Sequence, residues 1–415
     1  MHHSFIKKQY LFILILLLGF HIQSEGAVID SLLLNKVNSI IKTVQKKYAP
    51  DKRTEIFNVS FSASDSMVLN IETTKAEAFI ALKERFEQQK IVIRLNEQLL
   101  PSKELGDKIF GVANLSVCNN RLEPDNDAEM VTQVTLGTPV IILKKEKGYY
   151  LVQTPDHYIS WTDADGITSM DEKDYNKWKA SNLIFFTKDY GHSYGKSSLK
   201  SMPVSDLVEG NMLKLLEKEH NFYKVSYPDG RIAYIPKKSC MLFQKWISQS
   251  NPTENEIIET AKTLNGVPYL WGGTSIKGVD CSGFTKTCYF LNGIIIPRDA
   301  SQQALVGEKV DIYENDTVNI NKCLKNLKAG DLLFFAGGKN RRSNPKITHT
   351  AIYMGNGEFI QSAGMVRINS IVSTSAAYDD FESRTLVCAR RILSSIGTSE
   401  ISRVDQHPFY QSASK

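Results

Sequence analysis

Gly278-Val-Asp-Cys-Ser-Gly-Phe284 is the stretch on which the reading of this chain turns. It follows a second glycine-rich run, Gly266-Val-Pro-Tyr-Leu-Trp-Gly-Gly273, so glycines frame a single cysteine on both sides. Downstream, Phe284, Cys288 and Leu291 continue at helical spacing, which puts Cys281 at or near a helix N-terminus with Asp280 in the capping neighbourhood. There the helix dipole and the free N–H groups favour thiolate, lower the thiol pKa and can hold a developing oxyanion. Cys288, two turns on, reads as packing.

A thiol nucleophile needs a base, and beyond residue 248 the imidazoles are His349 and His407. His407 lies in the polar stretch Val404 to Lys415, whereas His349 opens the apolar run His349-Thr-Ala-Ile-Tyr-Met354. That run, Gly355-Asn-Gly357 and the segment Glu358 to Ala363 form a hairpin by pattern. A three-residue loop would pair Met354 with Glu358 and set Ala351 opposite Gln361, placing Gln361 diagonally beside His349 on one face, where it could orient the imidazole. A two-residue loop, with Gly355 opposite Glu358, would send Gln361 to the other face.

The chain is 415 residues long with 42% hydrophobic and 23% charged residues, which suits several compact globular units. The formal charge of +5 is interspersed rather than clustered, so a nucleic-acid surface is not indicated. Lys7 and Lys8, an apolar run from Tyr10 to Phe20 and small residues through Ser24 and Ala27 have the grammar of a signal peptide. Export to the periplasm or the extracellular space is therefore expected, with no stable membrane span after cleavage. The six cysteines are irregularly spaced and form no disulfide framework, and no metal or other cofactor is expected.

From residue 28 to 108 an amphipathic helix, three short strands and a second helix suggest a small α+β unit. Residues 109–180 and 181–247 are two series of short alternating runs, which read as two small all-β barrels. The segments "KGYYLVQTPDHYISWTD" (147–163) and "HNFYKVSYPDGRIAYIP" (220–236) align by eye and resemble bacterial SH3-type repeats. Ser248 to Pro252 reads as a linker to a last domain at 248–395, with 396–415 a polar tail.

"YLWGGTSIKGVDCSGF", "GDLLFFAG" and "THTAIYMGNGEFIQSAG" resemble the three signature segments of the NlpC/P60 family of papain-like cysteine peptidases, over roughly Glu254 to Leu393. With the SH3-type modules ahead of it, the chain is similar to the γ-D-glutamyl-L-diamino acid endopeptidases, the dipeptidyl-peptidase VI type. The implied fold is a multidomain α+β chain: a papain-like domain preceded by two barrels and the N-terminal unit. The implied activity is cleavage between γ-D-Glu and the diamino acid of peptidoglycan-derived peptides, by a monomer.

The resemblance carries the nucleophile to Cys281, the base to His349 and the third, orienting position, commonly His, to Gln361. Gln can accept the imidazole N–H but brings no charge. It implies that Asp280 and Ser282 bind the free amine of an N-terminal L-Ala, that Tyr269 lies beside the thiol, and that Trp271 lines the site. An acidic residue and a tyrosine of the first barrel, Glu129 in "DAEMVTQV" and Tyr158 in "HYISW", would close the pocket and limit substrate length. Two other readings remain open on the sequence: a weakly active or inactive wall-binding protein built on the SH3-type repeats, and acyl transfer or amide hydrolysis on another substrate by the same Cys/His pair. Reactivity of the Cys281 thiol separates enzyme from binder.

Overall fold

The computed structural model describes residues 31–65, 67–338 and 344–411. The signal-peptide reading of residues 1–27 lies outside them. Among the described residues no helix is long and apolar enough to cross a membrane.

The N-terminal unit is as patterned: helices Ser31–Tyr48 and Ala76–Gln88 pack on a three-stranded sheet of Phe57–Phe61, Val68–Thr73 and Arg94–Leu99. Val37, Ile40 and Val44 of the first helix meet Leu69, Ile71, Phe79 and Leu82 in a closed apolar core. The third strand runs from Arg94 to Leu99 in parallel register with Val68–Thr73.

Each barrel is a seven-stranded sheet. The two aligned segments form equivalent hairpins: Tyr149–Gln153 pairs with Ile159–Asp163, and Phe222–Ser226 with Ile232–Pro236, with the Pro-Asp turn at each tip. In the first barrel residues 114–116 form a break between strands Phe110–Ala113 and Val117–Arg121. Helix Glu172–Lys179, capped by the Asp171 side chain, joins the barrels through buried Tyr175 and Trp178.

The C-terminal unit packs helices Glu254–Thr263 and Cys281–Leu291 against a six-stranded sheet. Its core joins Ile257, Phe284, Cys288 and Tyr289 to Leu332, Phe334, Ile352 and Ile360. Truncating a fully buried ring such as Phe284 to Ala would cost about 3–5 kcal/mol.

The units share one further core. Val112 and Met170 of the first barrel, Phe185 and Met212 of the second, Phe243 and Trp246 of the connecting helix, and Ile295 and Val404 of the last unit form one cluster. The Trp246 indole N–H donates to Leu291 O at 3.2 Å. The stretch 396–415, expected as a polar tail, is packed instead as far as it is described: Ser402–Arg403 pairs with Ile294–Ile295, and Val404 and His407 are buried. Its apolar residues are too widely spaced to register as periodic, and a strand of another element supplies the pairing.

Candidate functional site

Cys281 is the first residue of its helix, and the Asp280 side chain caps that helix by accepting from the Gly283 N–H at 2.6 Å. Gly283 is required by space, since a Cβ there would sit 2.0 Å from Gly273 O. As the first helical residue, Cys281 has an N–H with no carbonyl partner inside the helix. The Sγ lies against the backbone N–H groups of Thr350 and Ser282. Burial, reinforced by the Asp280 charge, pushes the thiol up to about 12. This corrects the expectation of a lowered pKa: a buried thiol loses solvation, and the capping carboxylate offsets the helix dipole.

The hairpin breaks one premise and keeps the conclusion drawn from it. Its loop is the two-residue Asn356-Gly357, with φ of 53° and 83°, and Gly355 pairs with Glu358. That register alone would turn Gln361 away from His349. Met354, however, is bulged, and the register past it is Ile352 opposite Ile360. The extra residue shifts pairing back by one and returns Gln361 to the His349 face. Gln361 Oε1 lies 2.5 Å from His349 Nε2, while its Nε2 donates to Asn369 Oδ1 at 3.0 Å. The Asn369 bond fixes which way the amide faces, so an acceptor, Oε1, is turned to His349 Nε2 and suits the tautomer with the proton there.

Asp280 is already committed. Arg298, 1% exposed, reaches Oδ2 with Nη2 at 2.5 Å and Oδ1 with Nη1 at 3.1 Å, and Nη1 also donates to Ser282 Oγ at 2.9 Å. The Gly272 N–H donates to Oδ2 at 2.8 Å. Arg298 Nε turns the other way, to Thr132 Oγ1 of the first barrel at 2.9 Å. An ammonium arriving at Asp280 therefore meets a neutralised ion pair.

The remaining expected residues line the junction with the first barrel. The exposed Trp271 indole N–H donates to Glu129 Oε1 at 2.8 Å. Tyr158, buried, donates to Asp299 Oδ2 at 3.4 Å, and the same Asp299 atom is held by Arg53 Nη1 at 2.8 Å. Tyr269 is half-buried, and burial beside Cys281 and Asp280 raises its phenol pKa. Sequence reasoning missed Arg298, Asp299, Thr132 and Arg53. Arg298 had a signal, a cation one proline beyond the apolar run Ile294 to Ile296, whereas Arg53 and Thr132 arrive from other units and had none. Among the described residues no cluster of His, Cys, Asp or Glu is arranged to hold a metal ion.

A buried thiol at a helix start, packed against the strand whose first residue is an imidazole held by an amide, has the parts that a cysteine-dependent acyl-transfer site needs. The NlpC/P60 family model matches residues 266–391, and that of the bacterial dipeptidyl-peptidase Sh3 domain matches 120–167. A γ-D-glutamyl-L-lysine dipeptidyl-peptidase of Bacillus cereus is 30% identical over 259 residues, covering 60% of this chain and 71% of its own. A Bacillus subtilis protein of the same name is 31% identical over 249 residues, covering 59% and 76%. A solved NlpC/P60 family protein from Bacillus cereus superposes with a TM-score of 0.56 at 24% identity, over 68% of this chain and 99% of that one, which speaks for the fold. The chain belongs to the NlpC/P60 family and is a cysteine peptidase, related to enzymes of the cell wall.

Proposed function

We propose that the protein is an exported peptidase that cleaves the bond between γ-D-Glu and the L-diamino acid of wall peptides carrying a free N-terminal L-Ala. The observation that carries this reading is the His349 Nε2 contact to Gln361, on a strand packed against the Cys281 helix, which turns Nδ1 into the candidate base. The names of the two Bacillus relatives support the bond.

In this account Nδ1 of His349 takes the Cys281 proton as the sulfur attacks the γ-carbonyl carbon. The oxyanion is met by the Cys281 N–H, with the Tyr269 hydroxyl nearby. His349 returns the proton to the departing amine, leaving a thioester. It then deprotonates water, whose attack releases L-Ala-γ-D-Glu and restores the thiol. Asp280 and Ser282 form the end of the pocket, with Arg298 balancing the charge. Glu129 brings to the rim beside Trp271 an anionic group with no ion pair among the described residues, so it is the better source of attraction for an ammonium.

A panel of peptides differing at both ends tests this. Mass spectrometry should detect the dipeptide from free L-Ala-γ-D-Glu-diamino acid peptides and none from their N-acetylated forms. Equal turnover of free and acetylated peptides would remove the amine requirement.

A further inference from the structure

Gln361 orients the base without supplying charge, yet the transition state of a Cys/His peptidase carries an imidazolium. A carboxylate lies within reach of it. Glu382 sits in the short helix Asp380–Thr385, is 8% exposed, and holds Oε1 3.9 Å from His349 Nε2. This is the nitrogen that already donates to Gln361, so the carboxylate acts through charge rather than through a hydrogen bond of its own.

We propose that Glu382 is a positioning residue for His349, an anion that stabilises the imidazolium and thereby supplies what the neutral Gln361 lacks. The inference rests on the reading of Cys281 and His349 as the reacting pair.

The surroundings fit that role. Glu382 Oε2 is 3.5 Å from Thr385 Oγ1, and its backbone N–H donates to Asp379 Oδ1 at 3.0 Å. The charged groups facing it are His349, Asp379 and Arg367, and Arg367 is 3.9 Å from Asp379, so that cation is shared with a second carboxylate. Asp379 caps the helix and pairs with Arg367, which leaves the imidazole as the group a charged Glu382 can serve. Phe335 walls the imidazole on its sheet side, with ring centroids 5.5 Å apart, and shields the interaction from water. Burial raises the Glu382 carboxyl on balance, and the His349 charge is the largest influence that opposes the rise. The sequence carried no trace of this, since Glu382 follows Gln361 by a loop and a strand and lies in no signature segment.

The test is Glu382→Gln in the full-length protein, read by kcat, KM, the pH profile of kcat/KM and the rate of Cys281 alkylation. Removing an anion at this distance should lower the apparent pKa of the base by about one unit, moving the acid limb of kcat/KM down by about one pH unit. The plateau kcat and the alkylation rate at neutral pH should fall about tenfold, with KM little changed. Gln361→Glu in the Glu382→Gln background returns a carboxylate to the imidazole and should recover most of the loss, which a merely structural Glu382 would not allow. An unmoved acid limb with unchanged kcat overturns the proposal, and so does a loss that Gln361→Glu fails to rescue. Failure of the underlying reading looks different: Cys281 alkylation would then be indifferent to His349→Ala in the wild-type background.

Discussion

The two barrels share a strand number and an aromatic hairpin, yet they meet the C-terminal unit in different ways. The first presents polar side chains to the site. Thr132 holds Arg298, Gln133 accepts from the Thr274 N–H at 2.9 Å, Glu129 holds Trp271, Tyr158 reaches Asp299, and buried Asp156 pairs with Lys286 at 2.5 Å. The second barrel joins through apolar packing and, among the described residues, one part-exposed ion pair, Lys277 with Asp206 at 2.6 Å. Equal folds therefore make unequal junctions, and on the proposed reading of the site the first barrel is a wall of the pocket and the second a brace.

The largest expected effect tests the wall. Arg298→Met leaves Asp280 buried without its cation, so the protein should lose about 3–5 kcal/mol of stability by denaturant midpoint and release no dipeptide. Unchanged stability would mean that Asp280 is not held by this pair.

Next comes the C-terminal stretch that clamps the first barrel. His407 is 5% exposed with its ring centroid 5.9 Å from that of His157 in the first barrel, and burial followed by the His157 charge pushes its imidazole down to about 4. A folded-state pKa below the unfolded value of about 6.5 gives stability that is present above pH 6.5 and is lost as pH falls towards 4. The loss should approach about 3 kcal/mol. His407→Gln should flatten thermal stability across that window, and an equally steep acid decline in the variant would remove His407 from the account.

A smaller effect separates the barrels at the rim. Glu129→Gln should raise KM for free-amine peptides by about fivefold, or about 1 kcal/mol for an exposed charge, with kcat nearly unchanged. The smallest belongs to the brace. Asp206→Asn should cost at most about 0.5 kcal/mol and leave KM alone. If Asp206→Asn raised KM as Glu129→Gln does, the distinction between wall and brace would fail.

What could be read in advance follows the same division. The segments around Cys281 and His349 were legible because helix capping, glycine framing and strand alternation are local, and the barrel hairpins announced themselves by a repeated aromatic and Pro-Asp pattern. Gln361 was reached by a register argument whose loop length was wrong, and the bulge at Met354 restored what the loop had shifted. No local pattern marks a bulge, because the partner strand decides it. The Cys281 thiol was misread for a similar reason, since its burial depends on what packs over the helix start. Arg298, Asp299, Arg53 and Glu382 owe their roles to partners far away in the chain, and their charges looked like surface charges until the partners were in place.

The central claim is that Cys281 does the chemistry, and the direct measurement is dipeptide release from L-Ala-γ-D-Glu-L-diamino acid peptides by the wild type and by Cys281→Ala, with unfolding curves run beside them. The account predicts that the variant folds, melts close to the wild type and releases no L-Ala-γ-D-Glu. Continued release of the dipeptide by the folded variant would contradict it.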